Sequence, residues 1–411
     1  VKYSPDGSLI AVGDMGTNHV IVLDSVTHAV LADVPVGPGP ADLAFTPNGT
    51  RLLVANAGGN TVSAINIPGF SVAATIAVGS GPSRMGIRPG GAFAYVLNRR
   101  ETVPGNRVSV IDLSTLSVVT TLAAGGMPHS IAFSTDGTRA IVTSVYPGAI
   151  HVIDTVAQAV MANLSTLASP AGVVFRPGLH EAIVASAGAG PACALVNADV
   201  PSAVRGQGAL PARSFMVMHP DGSRIYSLSS ERDSLTVLNP ADGSTLDWGL
   251  LSVGDDADIG PDMGLQVLDV ATPGVGPASI ITADPGHALL RWDTSTDELV
   301  GSLDVGGLVK ALDASPDGLH VVLSVRDSVV ITEVGDITIL GGPIVYPPPP
   351  TRPEVPCPAI WVPPGECHYN VVVLEDDGLN DPATSLVVDT GQVVGGERIY
   401  MGKAEHAFAR F

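Results

Sequence analysis

Short apolar runs of about five or six residues, broken by tight polar corners, recur at regular spacing along most of the chain. Runs of this length bounded by Pro, Asp, Asn and Gly predict strands joined by turns rather than helices. The corners are of three kinds and keep one order. The first is a turn at Ser4-Pro5-Asp6-Gly7, Thr46-Pro47-Asn48-Gly49, Arg88-Pro89-Gly90-Gly91 and Ser134-Thr135-Asp136-Gly137, repeated at Arg176-Pro177-Gly178, His219-Pro220-Asp221-Gly222, Thr272-Pro273-Gly274 and Ser315-Pro316-Asp317-Gly318. Proline presets φ at the first corner and glycine accepts the left-handed conformation at the last, so each of these reverses one strand into the next. The second is an apolar run closing on Asp or Asn, as in Val20 to Asp24, Val62 to Asn66, Val108 to Asp112, Ile150 to Asp154, Leu195 to Asn197, Leu235 to Asn239 and Leu289 to Asp293. Such a side chain caps the following turn by accepting from its backbone N–H groups. The third is Val-Gly, at Val36-Gly37, Val78-Gly79, Val253-Gly254 and Val305-Gly306.

Each unit therefore predicts four strands in about forty residues. The expected fold is all-β: a β-propeller of four-stranded blades, eight in number, with seven as the alternative. A lone blade cannot bury both faces, whereas blades stacked around an axis can. The first unit offers only Val1 to Tyr3 as its inner strand, so closure calls for residues upstream or a strand from the tail.

The stretches Leu53-Val54-Ala55-Asn56, Tyr95-Val96-Leu97-Asn98 and Ile141-Val142-Thr143-Ser144, with their companions Asn60 to Asn66 and Arg107 to Asp112, resemble the YVTN family of β-propellers. The resemblance spans about residues 1–340 and is strongest in the first four units. It implies a surface or periplasmic propeller used for binding or scaffolding. Lactonase-like and haem d1-type propellers border on the same family, so fold does not settle function.

Composition agrees with many small strands: 45% hydrophobic residues but only 4% aromatics, with 47 Gly and 34 Pro. A net charge of −20 disfavours nucleic acids and anionic lipid as partners. No apolar run is long enough to span a bilayer as a helix. Val1 is not an initiator Met and the chain opens inside a strand-turn pattern, so a removed leader and an extracytoplasmic location are expected: periplasmic, secreted or cell-surface.

Three segments follow: a propeller over 1–340, a Pro-rich linker over 341–356 built on Pro343 and Pro347 to Pro350, and a small extension over 357–411. The linker reads as extended polyproline. The extension holds two strand-like runs, Asn370 to Leu374 and Ser385 to Val388, and serves as an attachment or assembly element toward other proteins. Cysteine arithmetic predicts a Cys357–Cys367 disulfide and a buried thiol at Cys193. Cys367-His368 is also similar to a haem c attachment site, but the nine-residue spacer replaces the usual two, and haem is not expected.

Placing the units in register on the proline before the innermost strand brings Asp42, Arg84, His129 and Lys310 to the mouth of the channel. Three potential cations in an acidic protein suit an anionic ligand; the plainer reading is a solvated polar lining. Asp255, Asp256, Asp258 and Asp262 offer the hard oxygen donors calcium takes, as do Glu375, Asp376, Asp377 and Asp381, without EF-hand spacing; solvated acidic loops are the simpler reading. There is no Gly-x-Ser-x-Gly elbow, His-Glu-x-x-His pair or phosphate loop. The expectation is a non-enzymatic binding or scaffolding module, a subunit of a larger surface or periplasmic assembly. Two alternatives stay open: a lactonase-like hydrolase using Asp42, Arg84 and His129, and a redox subunit with haem on Cys357, Cys367 and His368.

Overall fold

A computed structural model describes residues 1–334, apart from 101–107, 147, 166, 187–192, 206–213, 220–221, 230–233, 251–266, 271–278, 284–287, 295, 297, 306–308 and 326–327; beyond 334 it describes strands 371–375, 384–388, 393–394 and 397–398. The described residues contain no α-helix. They form seven four-stranded sheets and one five-stranded sheet, with one short hairpin besides. Every pairing is antiparallel between strands adjacent in sequence, as in propeller blades. We number the larger sheets in chain order.

The chain divides into two compact units, Val1–Gly249 and Leu250–Phe411. In the first, the opening strands of successive sheets lie side by side: Lys2–Tyr3, Pro40–Phe45, Pro82–Ile87, Pro128–Phe133, Pro170–Phe175 and Ser214–Met218. In the second, sheet eight holds Val309–Ala314, His320–Val325 and Ser328–Glu333, and its fourth place is taken by Val371–Glu375 of the extension, followed by Thr384–Val388. The two runs expected in the tail are thus strands, and they dock on this chain's own last sheet.

Burial explains the strand types. The second strands Arg51–Asn56, Phe93–Asn98, Arg139–Ser144 and Glu181–Ser186 are buried at each of their last five residues, because sheets cover them on both faces. The outer strand Ser117–Leu122 instead alternates in exposure. Within the first unit, junctions between neighbouring sheets have their own cores: Val20, Val22, Leu52 and Val54 join sheets one and two, and Leu97, Val110, Val142 and Ile153 join three and four. Tyr95 of sheet three meets Phe133 of sheet four edge-on at 5.3 Å. A sheet therefore buries one face against the next, the physical reason a single repeat cannot stand alone.

The corners do what their residues dictate. Ser4 and Ser134 hydroxyls donate to Asp6 and Asp136 at 2.6 Å, and Gly7, Gly49 and Gly137 hold φ of 74°, 67° and 69°. Asp24 accepts from the N–H groups of Val26 and Thr27 at 3.0 and 2.7 Å. The Val-Gly corner has a steric cause. Asn56 and Asn98, the last residues of the motif strands, are fully buried beneath Gly37 and Gly79, where an added Cβ would fall 2.6 and 2.5 Å from their amide nitrogens. Those nitrogens donate to Ser63 and Ser109 hydroxyls at 3.0 Å, tying the strand end to its neighbour.

Candidate functional site

Register on the opening strands separates the expected mouth residues into two classes. In sheet two Pro40 pairs with Asn56 and Asp42 with Ala55; in sheet three Pro82 pairs with Asn98 and Arg84 with Leu97. One residue after each proline is skipped, which is a β-bulge, and Asp42 and Arg84 occupy equivalent places beyond it. His129 is itself the skipped residue of sheet four, between Pro128 and Ser130, and Lys310 is the skipped residue of sheet eight. His129 and Lys310 thus share a position that differs from that of Asp42 and Arg84.

Asp42 reaches across the junction of sheets two and three to the strand that carries Arg84. The Met85 N–H donates to Asp42 Oδ2 at 2.7 Å and the Leu43 N–H to Oδ1 at 2.9 Å, which fixes the carboxylate against the neighbouring opening strand. Burial nonetheless raises Asp42 above the ordinary carboxylate range, against those donors and against the positive charges of Lys2 and Arg84. Burial lowers Arg84, with Asp42 opposing that shift and Arg99 reinforcing it. Arg99 follows directly on Asn98 and its N–H donates to Gly81 O at 2.9 Å, so it belongs to the same end of sheet three. Lys2 and Arg84, on the opening strands to either side, thus both act on Asp42, and Arg99 acts on Arg84 from the corner of sheet three. Sequence reasoning missed Lys2 and Arg99, because neither follows a proline.

A second polar cluster lies at the opposite corners, between sheets four and five. His180 Nδ1 is 2.8 Å from both oxygens of Asp199, and Nε2 is 3.0 Å from Asp136 Oδ2. Arg139 reaches Asp154 at 3.3 Å and Asp199 at 3.2 Å. Asp199 first, then Asp136, raises the His180 pKa, while Ser134 and Thr138 with His180 hold Asp136 well below the carboxylate range. These ion pairs clasp two sheets, with Arg139 Nε close to Asp199 but outside hydrogen-bond geometry.

A third arrangement looks catalytic and is not built to react. Ser144 Oγ lies 3.1 Å from His151 Nε2, and His151 Nδ1 lies 2.6 Å from Asn163 Oδ1. Ser, His and Asn in line suggest a nucleophile and its base. Ser144 is 0% exposed and donates to Ala124 O at 2.7 Å, so its oxygen faces the sheet interior. The pair fills the place that Asn98 and Ser109 hold in sheet three. An open groove of about 350 Å³ between sheets two and three is lined by Asn48, Arg51, Phe93 and Asp112 among others; the Arg51 guanidinium is spent on Leu113 O at 3.2 Å.

Cys193 is buried, its sulfur 3.7 Å from Gly243 O. No metal-binding group of three or more His, Cys, Asp or Glu occurs among the described residues. Asp255, Asp256, Asp258, Asp262, Cys357, Cys367 and His368 lie outside the described residues, as do Asp376, Asp377 and Asp381. No described helix is long and apolar enough to cross a membrane.

Comparison with known proteins agrees with the repeat. Residues 5–177 match the family model of the YNCE-like beta-propeller, as the resemblance to YVTN-type repeat proteins anticipates. No curated protein matches the chain. Among solved structures, Kuenenia stuttgartiensis hydrazine synthase is similar at 19% identity and a TM-score of 0.54, over 81% of this chain and 94% of that one. The dihydro-heme d1 dehydrogenase NirN, in complex with DHE, is similar at 17% identity and a TM-score of 0.63, over 82% of this chain and 73% of that one. Identities this low speak for the fold alone.

Proposed function

We propose that this YVTN-type β-propeller repeat protein is a non-enzymatic, extracytoplasmic binding module that takes an anionic ligand where its opening strands begin. One observation carries the reading: among the described residues Lys2, Asp42 and Arg84 stand on three adjacent opening strands, with Arg99 next to Arg84, so cationic side chains are brought together in a chain of net charge −20. Cationic side chains placed together can recruit a negative group locally even where the surrounding field repels other anions. Asp42, held by the Met85 and Leu43 N–H groups, offsets part of the charge of Lys2 and Arg84.

In this reading residues 1–340 form the propeller, counted as eight blades, and 341–356 link it to an extension whose first strand seals the last blade. The extension, with a Cys357–Cys367 disulfide, attaches the module to a larger assembly. Calcium on Asp255, Asp256, Asp258 and Asp262 belongs to the same reading. The test of the central reading is calorimetric titration of the full chain with inorganic phosphate. Binding that Arg84→Met abolishes supports it, and binding indifferent to that change overturns it.

A second reading is kept by one comparison. NirN is described as a dihydro-heme d1 dehydrogenase, and a redox role for this chain would use haem on Cys357, Cys367 and His368. A Soret band in the native protein would favour that account; a spectrum without one, with a mass two protons lighter than the reduced form, would favour the disulfide.

A further inference from the structure

Because the repeats are geometrically equivalent, the same two corner positions can be compared from sheet to sheet. The residue just before the opening proline is Gly39 in sheet two, Gly81 in sheet three and Met127 in sheet four. All three take left-handed backbone, at φ of 66°, 63° and 55°. Its carbonyl accepts from the residue that follows the motif strand: Ala57 N–H at 2.7 Å, Arg99 N–H at 2.9 Å and Val145 N–H at 3.3 Å. The next residue along is Gly58, Arg100 and Tyr146 in turn. A Cβ on Gly39 would meet only the Gly58 backbone, while one on Gly81 would strike the Arg100 side chain at 2.7 Å. The pair is thus bare in sheet two, cationic in sheet three and apolar in sheet four.

Sheet four is the exception that asks for a cause. A left-handed conformation costs a side-chain-bearing residue free energy that glycine does not pay, and such outliers cluster at binding sites. Met127 bears that cost while 41% exposed, and Tyr146 beside it is 72% exposed, so neither gains the burial that would repay it within the fold. Thioether and phenol are adaptable, polarizable contact groups for an aromatic or aliphatic surface. Both sit at the same end of sheet four as Arg99 and Arg100 hold on sheet three, and the opening strands of the two sheets touch.

We propose that Met127 and Tyr146 form the apolar half of the ligand site, so that the ligand is an organic anion with an aromatic body rather than a bare oxyanion. The inference rests on the anion-site reading above and adds the body of the ligand to its charge. Full-length protein titrated with 1-naphthoate and with inorganic phosphate tests it. The native chain should bind naphthoate at least about tenfold more tightly than phosphate. The double variant M127G/Y146G, which restores the pattern of sheet two, should lose that preference, keep its phosphate affinity and melt no lower than the native chain. Naphthoate binding unchanged in the double variant, or no preference for naphthoate in the native chain, would overturn this inference. Arg84→Met separates the two readings: loss of both probes in that variant upholds the anion site whatever M127G/Y146G does, and retention of both removes the site and this inference together.

Discussion

Replacing Gly79 by Ala should unsettle the third sheet far more than its small size suggests. The new Cβ would lie 2.5 Å from Asn98 Nδ2 and 2.6 Å from its Cγ, distances that no real Cβ contact tolerates. Asn98 is fully buried and its Nδ2 donates to Ser109 Oγ at 3.0 Å, so the amide cannot turn aside without stranding a buried donor. Overpacking costs about 1–3 kcal/mol and an unmet buried donor about 1–3 kcal/mol; one motion causes both, so about 2–4 kcal/mol in total is expected. Gly49→Ala is the internal reference: its φ is 67° but nothing lies within 4 Å of the added Cβ, so only the left-handed backbone cost of about 1–2 kcal/mol applies. Adding Asn98→Ser should recover part of the loss, since sheet four already carries Ser144 beneath Gly125. Urea melts followed by far-UV circular dichroism measure all three. If Gly79→Ala melts no earlier than Gly49→Ala, or Asn98→Ser restores nothing, the steric account of the Val-Gly corner is wrong.

His180→Ala should cost under about 1 kcal/mol, as a partly solvated ion pair does. Its pKa is raised in the fold, so that contribution is full below the unfolded value near 6.5 and fades as pH rises through the folded value; native and variant melting curves should converge at alkaline pH. His151 shows the opposite sign: burial lowers its pKa, so the native chain should lose stability as pH falls below about 6.5, and His151→Gln should flatten that slope in melts between pH 7 and pH 5. A chain ended at residue 340 lacks Val371–Glu375 and uncovers the edge of Ser328–Glu333. That edge should drive self-association, visible as a concentration-dependent shift in sedimentation.

The blades were readable because proline, glycine and capping Asp act locally: Pro5, Gly7 and Asp24 each dictate a corner without help from distant residues. The Asp42 and Arg84 positions were readable for the same reason, being counted from a proline. The bulge was not, because an unpaired residue leaves no mark in an apolar run, so the sequence does not show that His129 is the skipped residue while Asp42 and Arg84 lie beyond it. Lys2, Arg99 and the clasp of His180 by Asp136 and Asp199 join residues from separate repeats, and no spacing within one repeat encodes a contact between two. The pairing of Val371–Glu375 with Ser328–Glu333 is hidden likewise, since a long proline-rich segment separates the partners.

The account depends most on the charge balance around Asp42. Phosphate titrated calorimetrically into full-length native, Asp42→Asn and Arg84→Met proteins tests it most directly. Asp42→Asn keeps an acceptor for the Met85 N–H while removing the opposing charge, so affinity should rise from Arg84→Met through native to Asp42→Asn. Equal affinities in all three, or an order reversed, would show that the anion is bound elsewhere and would contradict the account.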